Sequence, residues 1–232
     1  MKKIFLFLLL AVASGPAAFA QAAPGGAQSS KDYTGGAVTE SGNTGFGVKG
    51  GYNLSGIRGD DVVGLNRNSL SSFHAGVYGQ FGFNDFSSIQ AELLYSRQGF
   101  SADFTPTGSS TKTTQTFHLD YVSLPIMYVG NFTDNFSFHV GPQVSLLVNA
   151  NNGSSLDFAA NGIHSFDYGG VGGLEARFGP ARLGARYNLS LGKLFKSPDN
   201  PNAAGAYVAS QYKNSNIYNN LLQVYVGFGF TQ

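Results

Sequence analysis

Residues 72–100 read SFHAGVYGQFGFNDFSSIQAELLYSRQGF, and the alternation of their apolar residues decides the fold. Before the turn, Phe73, Ala75, Val77, Phe81 and Phe83 share one parity, opposite His74, Tyr78 and Gln80. After it, Ile89, Ala91, Leu93 and Tyr95 oppose Gln90, Glu92, Ser96 and Gln98. A period of two marks a strand with one apolar face, and the short polar turn Asn84-Asp85-Phe86 between the runs predicts an antiparallel hairpin. A turn of this length sets Phe81 opposite Ile89 and Val77 opposite Leu93, so that Gln80 meets Gln90 and Tyr78 meets Glu92. Such a hairpin fits a soluble β-sandwich or a barrel standing in a membrane, and the rest of the chain separates the two.

The same period recurs six more times. TGFGVKGGYNLSGI (44–57), LDYVSLPIMYVG (119–130), FSFHVGPQVSLLVN (136–149), FDYGGVGGLEARF (166–178), ARLGARYNLSLG (181–192) and NLLQVYVGFGF (220–230) complete eight predicted strands. Pro125 is unusual in such a run, because proline removes a ladder donor. Connection lengths alternate. Short turns at NDF, TDN and Gly179-Pro180 join strands 2–3, 4–5 and 6–7, while polar stretches near 58–71, 102–115, 150–163 and 196–215 join the others. Short turns at one end and long loops at the other is the outer-membrane arrangement, with turns periplasmic and loops external. The fold expected is all-β, an eight-stranded antiparallel up-and-down transmembrane barrel. The TDN turn predicts Tyr128 opposite Val140 and Leu124 opposite Val144; Gly179-Pro180 predicts Ala176 opposite Leu183 and Gly172 opposite Tyr187. Phe46, Phe81, Phe83, Phe132, Phe136, Phe138, Phe178 and Phe228 would form the turn-side aromatic girdle, and Phe73, Tyr95, Phe166 and Tyr168 the other.

Composition agrees. Charged residues are 12%, about half the usual share, while glycine alone reaches 32 residues and Phe with Tyr another 32. The opening MKKIFLFLLLAVASGPAAFAQ has two lysines, an apolar run and an Ala18-Phe19-Ala20 cleavage site, so residues 1–20 are expected to be a secretory signal peptide. Residues 21–43, small, polar and glycine-rich, read as a flexible periplasmic lead-in, and 44–232 as the barrel domain. The mature chain would carry 12 basic and 13 acidic residues, which gives no general attraction for nucleic acid. The absence of cysteine excludes disulfides, thiolate metal sites and a cysteine nucleophile.

These runs, with Q-x-E-L-L-Y-S at 90–96, L-P-I-M-Y at 124–128 and V-G-P-Q at 140–143, resemble the PorT-like outer-membrane β-barrel family of Gram-negative bacteria, among the small barrels of the OmpA and OmpX kind. The likeness spans about residues 44–230. It implies an eight-stranded barrel in the outer membrane; one class of members is associated with a secretion and gliding apparatus, and most have no assigned activity. The loop arrangement sets the expected N-terminus of this integral barrel in the periplasm. Such barrels usually end on an aromatic residue, whereas here Thr231-Gln232 follow Phe230.

An eight-stranded barrel is only wide enough for side chains to fill. The inward parity carries Lys49, Glu92, Glu175, Arg177, Arg182 and Arg186, expected to form a structural charge network that plugs the lumen. Register places Arg177 directly opposite Arg182, a repulsive pair alone, so Glu175, and Glu92 across the bore, are predicted within pairing reach. His74, His118 and His164 lie toward the loops with Asp103, Asp120, Asp157 and Asp167, yet no H-E-x-x-H or G-x-S-x-G spacing organises them. No catalytic, cofactor or metal residue is therefore expected, and no cofactor. The expected role is structural or interactive. Expected partners are outer-membrane lipid and lipopolysaccharide, the barrel-insertion machinery, and a protein at the external loops or periplasmic rim. Rival readings are a small channel, transport or secretion-apparatus component, a lipid-modifying barrel enzyme, and a soluble lipocalin-like barrel with its apolar face inward.

Overall fold

The computed structural model describes residues 43–59, 69–104, 113–151, 160–200 and 214–230, with Thr111 and Asp157. The expected signal peptide and all of the lead-in before Asn43 lie outside the described residues. Among those described, eight strands follow in order: β1 (Gly45–Gly59), β2 (Leu70–Gly82), β3 (Ser87–Phe104), β4 (Thr113–Asn131), β5 (Phe136–Asn151), β6 (Phe166–Phe178), β7 (Ala181–Ser190) and β8 (Ile217–Gly229). Each pairs antiparallel with the next, and β8 returns to β1 from Gly47↔Gly229 to Gly59↔Ile217, closing the barrel. Closure removes the sheet edges, which in hydrocarbon would leave backbone groups without partners at several kcal/mol each.

The predicted register holds in all three short hairpins. Phe81 faces Ile89 and Val77 faces Leu93; Tyr128 faces Val140 and Leu124 faces Val144; Ala176 faces Leu183 and Gly172 faces Tyr187. Gly179 turns the last hairpin with φ 58°, the left-handed region that glycine enters without steric cost. The prolines sit where the ladder is interrupted. Between β3 and β4 the matched pairs jump from Ala91↔Ile126 to Leu94↔Ser123, passing Pro125, and between β4 and β5 they jump from Pro125↔Gln143 to Tyr128↔Val140, passing Pro142.

One connection differs from expectation. The polar stretch near 102–115 predicts a loop, but β3 and β4 continue into it, to Phe104 and from Thr113. The extension is held by pairs such as Ser101↔Thr116 and Asp103↔Thr114, where Thr114 Oγ1 donates to Asp103 at 2.7 Å. The threonines there favour an extended backbone despite their polarity.

The wall is apolar outward, opposite to a lipocalin. Phe46, Val48, Val77, Ile126, Leu183 and Val226 are exposed, while the opposite parity buries Lys49, Asn53, Gln90, Glu92, Glu175 and Gln223. Aromatics group at both ends: Phe46 with Phe230 and Phe132 with Phe138 at the turn end, Phe73 with Tyr95 and Phe166 with Tyr168 at the loop end. Beyond the polar middle, the inward parity turns apolar. Phe100, Phe117, Leu119, Tyr121, Leu147 and Ile217 pack with Ile163 and Phe195, which join in a short bridge between the loop-end segments. This apolar cap absorbs inward positions that continue the phase of Gln98 and Ser123, and a polar-lumen reading of the sequence passes over it.

Val77 lies outward on β2 midway between the girdle residues Phe73 and Phe81. Val77→Arg is expected to destabilise the barrel by about 2–4 kcal/mol in lipid vesicles, read by denaturant unfolding, whereas Val77→Leu should leave the midpoint nearly unchanged.

Candidate functional site

Strand parity delivers the six predicted charged residues to the interior from four strands: Lys49 from β1, Glu92 from β3, Glu175 and Arg177 from β6, Arg182 and Arg186 from β7. Lys49 is the crossbar. Its Nζ donates to Glu92 Oε1 at 3.1 Å and to Glu175 Oε2 at 2.8 Å. Arg186 Nη1 binds Glu92 Oε2 at 2.5 Å, and Arg182 Nη1 binds Glu175 Oε1 at 3.0 Å. Glu92 thus reaches Lys49 and Arg186, while the Arg177 and Arg182 pair is served by Glu175. Both carboxylate side chains have 0% exposure, so each depends on these partners for the solvation it has lost.

Four cations surround two carboxylates, and aromatic faces compensate part of the excess. Lys49 Nζ lies 4.8 Å from the Tyr78 ring centre and 4.6 Å from that of Tyr225, and the Arg182 guanidinium lies 4.5 Å from Tyr78. The Tyr225 hydroxyl also donates to Glu175 Oε2 at 2.9 Å. Glycines make room for both rings: a Cβ at Gly47 would stand 2.6 Å from the Tyr78 hydroxyl, and one at Gly184 would overlap the Tyr225 ring. Strand parity turns both tyrosines inward, but their role as cation faces depends on ring direction, which spacing does not convey.

Arg177 and Arg182 do stand directly opposite each other, and their guanidinium groups diverge. Arg182 turns into the bore toward Glu175 and Gln80. Arg177 keeps its Nε 3.8 Å from Glu175 while its Nη atoms reach the turn end, where they donate to Asn43 Oδ1 at 3.0 Å and to Asn131 Oδ1. Asn43 Nδ2 in turn donates to the carbonyls of Asn84 and Asp85 at 2.8 and 2.7 Å, so this residue, two positions before β1, ties the β2–β3 turn to the network. Asn43 is the one asparagine of 21–43, but the small polar residues before it show no period that would place it against the barrel.

Toward the loops a neutral relay continues the network. Arg186 Nε and Asn188 Nδ2 both donate to Gln223 Oε1 at 2.7 Å, and Gln223 Nε2 donates to Asn53 Oδ1 at 2.8 Å. The His74 Nδ1 contact with the same oxygen, 2.6 Å, makes Nδ1 the protonated nitrogen.

The loop-side histidines and aspartates are dispersed. His74 is buried in the relay, Asp120 takes a two-point contact from Arg97 on the outer wall at 2.6 and 3.1 Å, Asp157 accepts from the Ala160 amide, and Asp103 accepts from Thr114. Burial and the nearby Lys196 lower the pKa of His164. Among the described residues no group of three His, Asp or Glu side chains could hold a metal ion.

A family model described as outer membrane protein beta-barrel domain matches residues 19–196. The chain belongs to that family. The matched range spans β1 to β7, and β8 completes the closed barrel beyond it. Membership of the family identifies the apolar outer wall as a lipid-facing one and the protein as an integral outer-membrane barrel. The fold is similar to that of Ail, the attachment invasion locus protein of Yersinia pestis, at 13% identity and TM-score 0.44, covering 81% of this chain and 99% of that one. It is similar also to Neisserial surface protein A, at 17% identity and TM-score 0.45, covering 82% and 98%, and to OprG from Pseudomonas aeruginosa, at 13% identity and TM-score 0.41, covering 83% and 99%. No curated protein matches the sequence.

Glu175→Gln would leave Lys49 and Arg182 without their shared carboxylate. A loss of about 3–5 kcal/mol is expected from stranding buried charge, measured by unfolding in detergent micelles, with part of it restored when Lys49→Gln is added.

Proposed function

We propose that this outer-membrane barrel is a structural or interaction protein that works through its surfaces and neither conducts nor catalyses, with the six-residue network plugging its lumen. The observation that carries the reading is the ionic layer itself: Lys49, Glu92, Glu175, Arg182 and Arg186 are bonded to one another across the bore. An ion moving along the axis would have to break several charge-assisted hydrogen bonds at once, and the apolar cap lies beyond them. The lipid-facing wall takes outer-membrane lipid and lipopolysaccharide, the insertion machinery assembles it, and a protein partner is met by the loops or the turn end. The resemblance to PorT-like barrels belongs to the same reading. In a planar bilayer with the purified protein, no steady unitary current steps are expected; regular steps that persist after repurification would overturn the plugged lumen.

The short turns are assigned to the periplasm, together with the N-terminus, and the long connections to the exterior. The alternation of their lengths supports this. Because the chain lacks cysteine, single cysteines report cleanly. Ser197→Cys, in an exposed loop-end segment, should react with a membrane-impermeant maleimide on intact cells, and Asp85→Cys, in the β2–β3 turn, only after the outer membrane is permeabilised.

A further inference from the structure

Between the ionic layer and the apolar cap lies a small cavity of about 20 Å³, enough for one water-sized sphere. Its lining includes Gln143 and Ser145 of β5, Asp167 of β6, Asn188 and Ser190 of β7, and Asn219 of β8. The hollow has a simple origin in the register. Gly169 pairs with Gln143 on one side and Ser190 on the other, so an inward position with no side chain separates two polar ones.

Four donors of this chamber each already give one hydrogen within the wall. Gln143 Nε2 donates to Ser145 Oγ at 3.2 Å, Asn188 Nδ2 to Gln223 Oε1 at 2.7 Å, Ser190 Oγ to Asp167 Oδ1 at 2.5 Å and Asn219 Nδ2 to the Tyr121 hydroxyl at 3.4 Å. Acceptors remain. Asn188 is only 6% exposed, and its Oδ1, like Gln143 Oε1, accepts nothing from the described residues. The Asn188 amide cannot simply turn over, because Gln223 Oε1, held as an acceptor by Arg186, requires its NH₂ on that side. Asp167 contributes a carboxylate that has no salt-bridge partner among the described residues, in contrast to Glu92 and Glu175.

We propose that this chamber is a binding site for one dehydrated monovalent cation of about the size of water, potassium or ammonium, held by Asp167, Asn188 Oδ1 and Gln143 Oε1. Hard cations take oxygen ligands of this kind, carboxylate and amide carbonyl together. A neutral water can serve the two amide oxygens but leaves the Asp167 charge without a counter-ion; a monovalent cation meets the amide oxygens and the charge together. The three ligands come from three consecutive strands, so the ion would tie β5, β6 and β7 together at the level where Gly169 leaves the inner wall bare.

The test uses crystals of the full chain refolded in detergent and soaked in thallous acetate or rubidium chloride, with anomalous diffraction locating the heavy cation. The expected result is an anomalous peak in the chamber within bonding distance of Asp167, Asn188 and Gln143, and its loss in Asp167→Asn. A wild-type chamber with ordered water only, or a peak retained in Asp167→Asn, overturns the proposal. If Asp167→Asn does not fold, the soaked wild-type crystal decides alone, the peak supporting the site and its absence refuting it.

Discussion

Lys49 between Glu92 and Glu175 is the contact on which the rest of the interior depends. It joins the first strand to carboxylates 43 and 126 residues away along the chain, on β3 and β6, strands that share no ladder with β1. Backbone pairing alone closes the cylinder, but it fixes only neighbours. Side-chain bonds across the bore hold non-adjacent strands at set positions, and in a low-dielectric interior they are strong because water cannot compete for them. The same medium makes them unforgiving: a carboxylate with 0% exposure has no fallback if a partner leaves. Charge therefore specifies the interior of this barrel in the way that apolar packing specifies that of a soluble one.

A membrane barrel inverts the usual division of labour. The outer face is committed to lipid, so Phe, Val and Leu there report the environment and say little about which strand meets which. The interior must satisfy most of its polar groups internally, and it does so in layers. Amides around Asn43 and Asn131 occupy the turn end, the ionic layer with its two tyrosines follows, then the Gln223–Asn53–His74 relay, and last the apolar cap. Gly47 and Gly184 belong to this scheme as much as the charged residues, since the rings of Tyr78 and Tyr225 occupy the space their missing side chains leave.

How much of this was legible in the sequence follows from what carries the signal. Strand number, inward parity and hairpin register depend on a period of two and on turn length, both local, and Tyr78↔Glu92 and Arg177↔Arg182 emerge from counting outward from a turn. The identity of salt-bridge partners across the bore is not local. Parity put Glu92 and Arg186 in the same lumen, but only the barrel's curvature brings β3 and β7 within 2.5 Å through these side chains. The apolar cap escapes any reading that equates inward with polar, although Phe100, Phe117 and Leu119 keep the inward parity. The extension of β3 and β4 is hidden because Thr-rich, charge-poor sequence reads as loop when polarity is weighed above β-propensity. Arg97 with Asp120 shows the opposite limit: register pairs them directly, yet on the outward parity nothing in the sequence distinguishes a tight ion pair beside the Phe73 ring from two solvated strand-end charges.

The diverging arginines give the network a direction. A cross-strand pair of like charges is stable only if each finds its own counter-field, and here the two solutions lie at different heights. Arg182 is absorbed by Glu175 and Gln80 within the bore, whereas Arg177 spans from Glu175 to Asn43 and Asn131 at the turn end. Asn43 lies two positions before β1 and holds the β2–β3 turn through the carbonyls of Asn84 and Asp85. The position at which the chain enters the barrel is thus linked to the central carboxylate by one guanidinium. Displacing Asn43 would release Arg177 from the rim, and the repulsion from Arg182 would then fall on Glu175 alone, which already serves Lys49 and the Tyr225 hydroxyl. Coupling between the rim and the ionic layer follows from this placement, because no other described side chain joins the Asn43 cluster to the buried carboxylates.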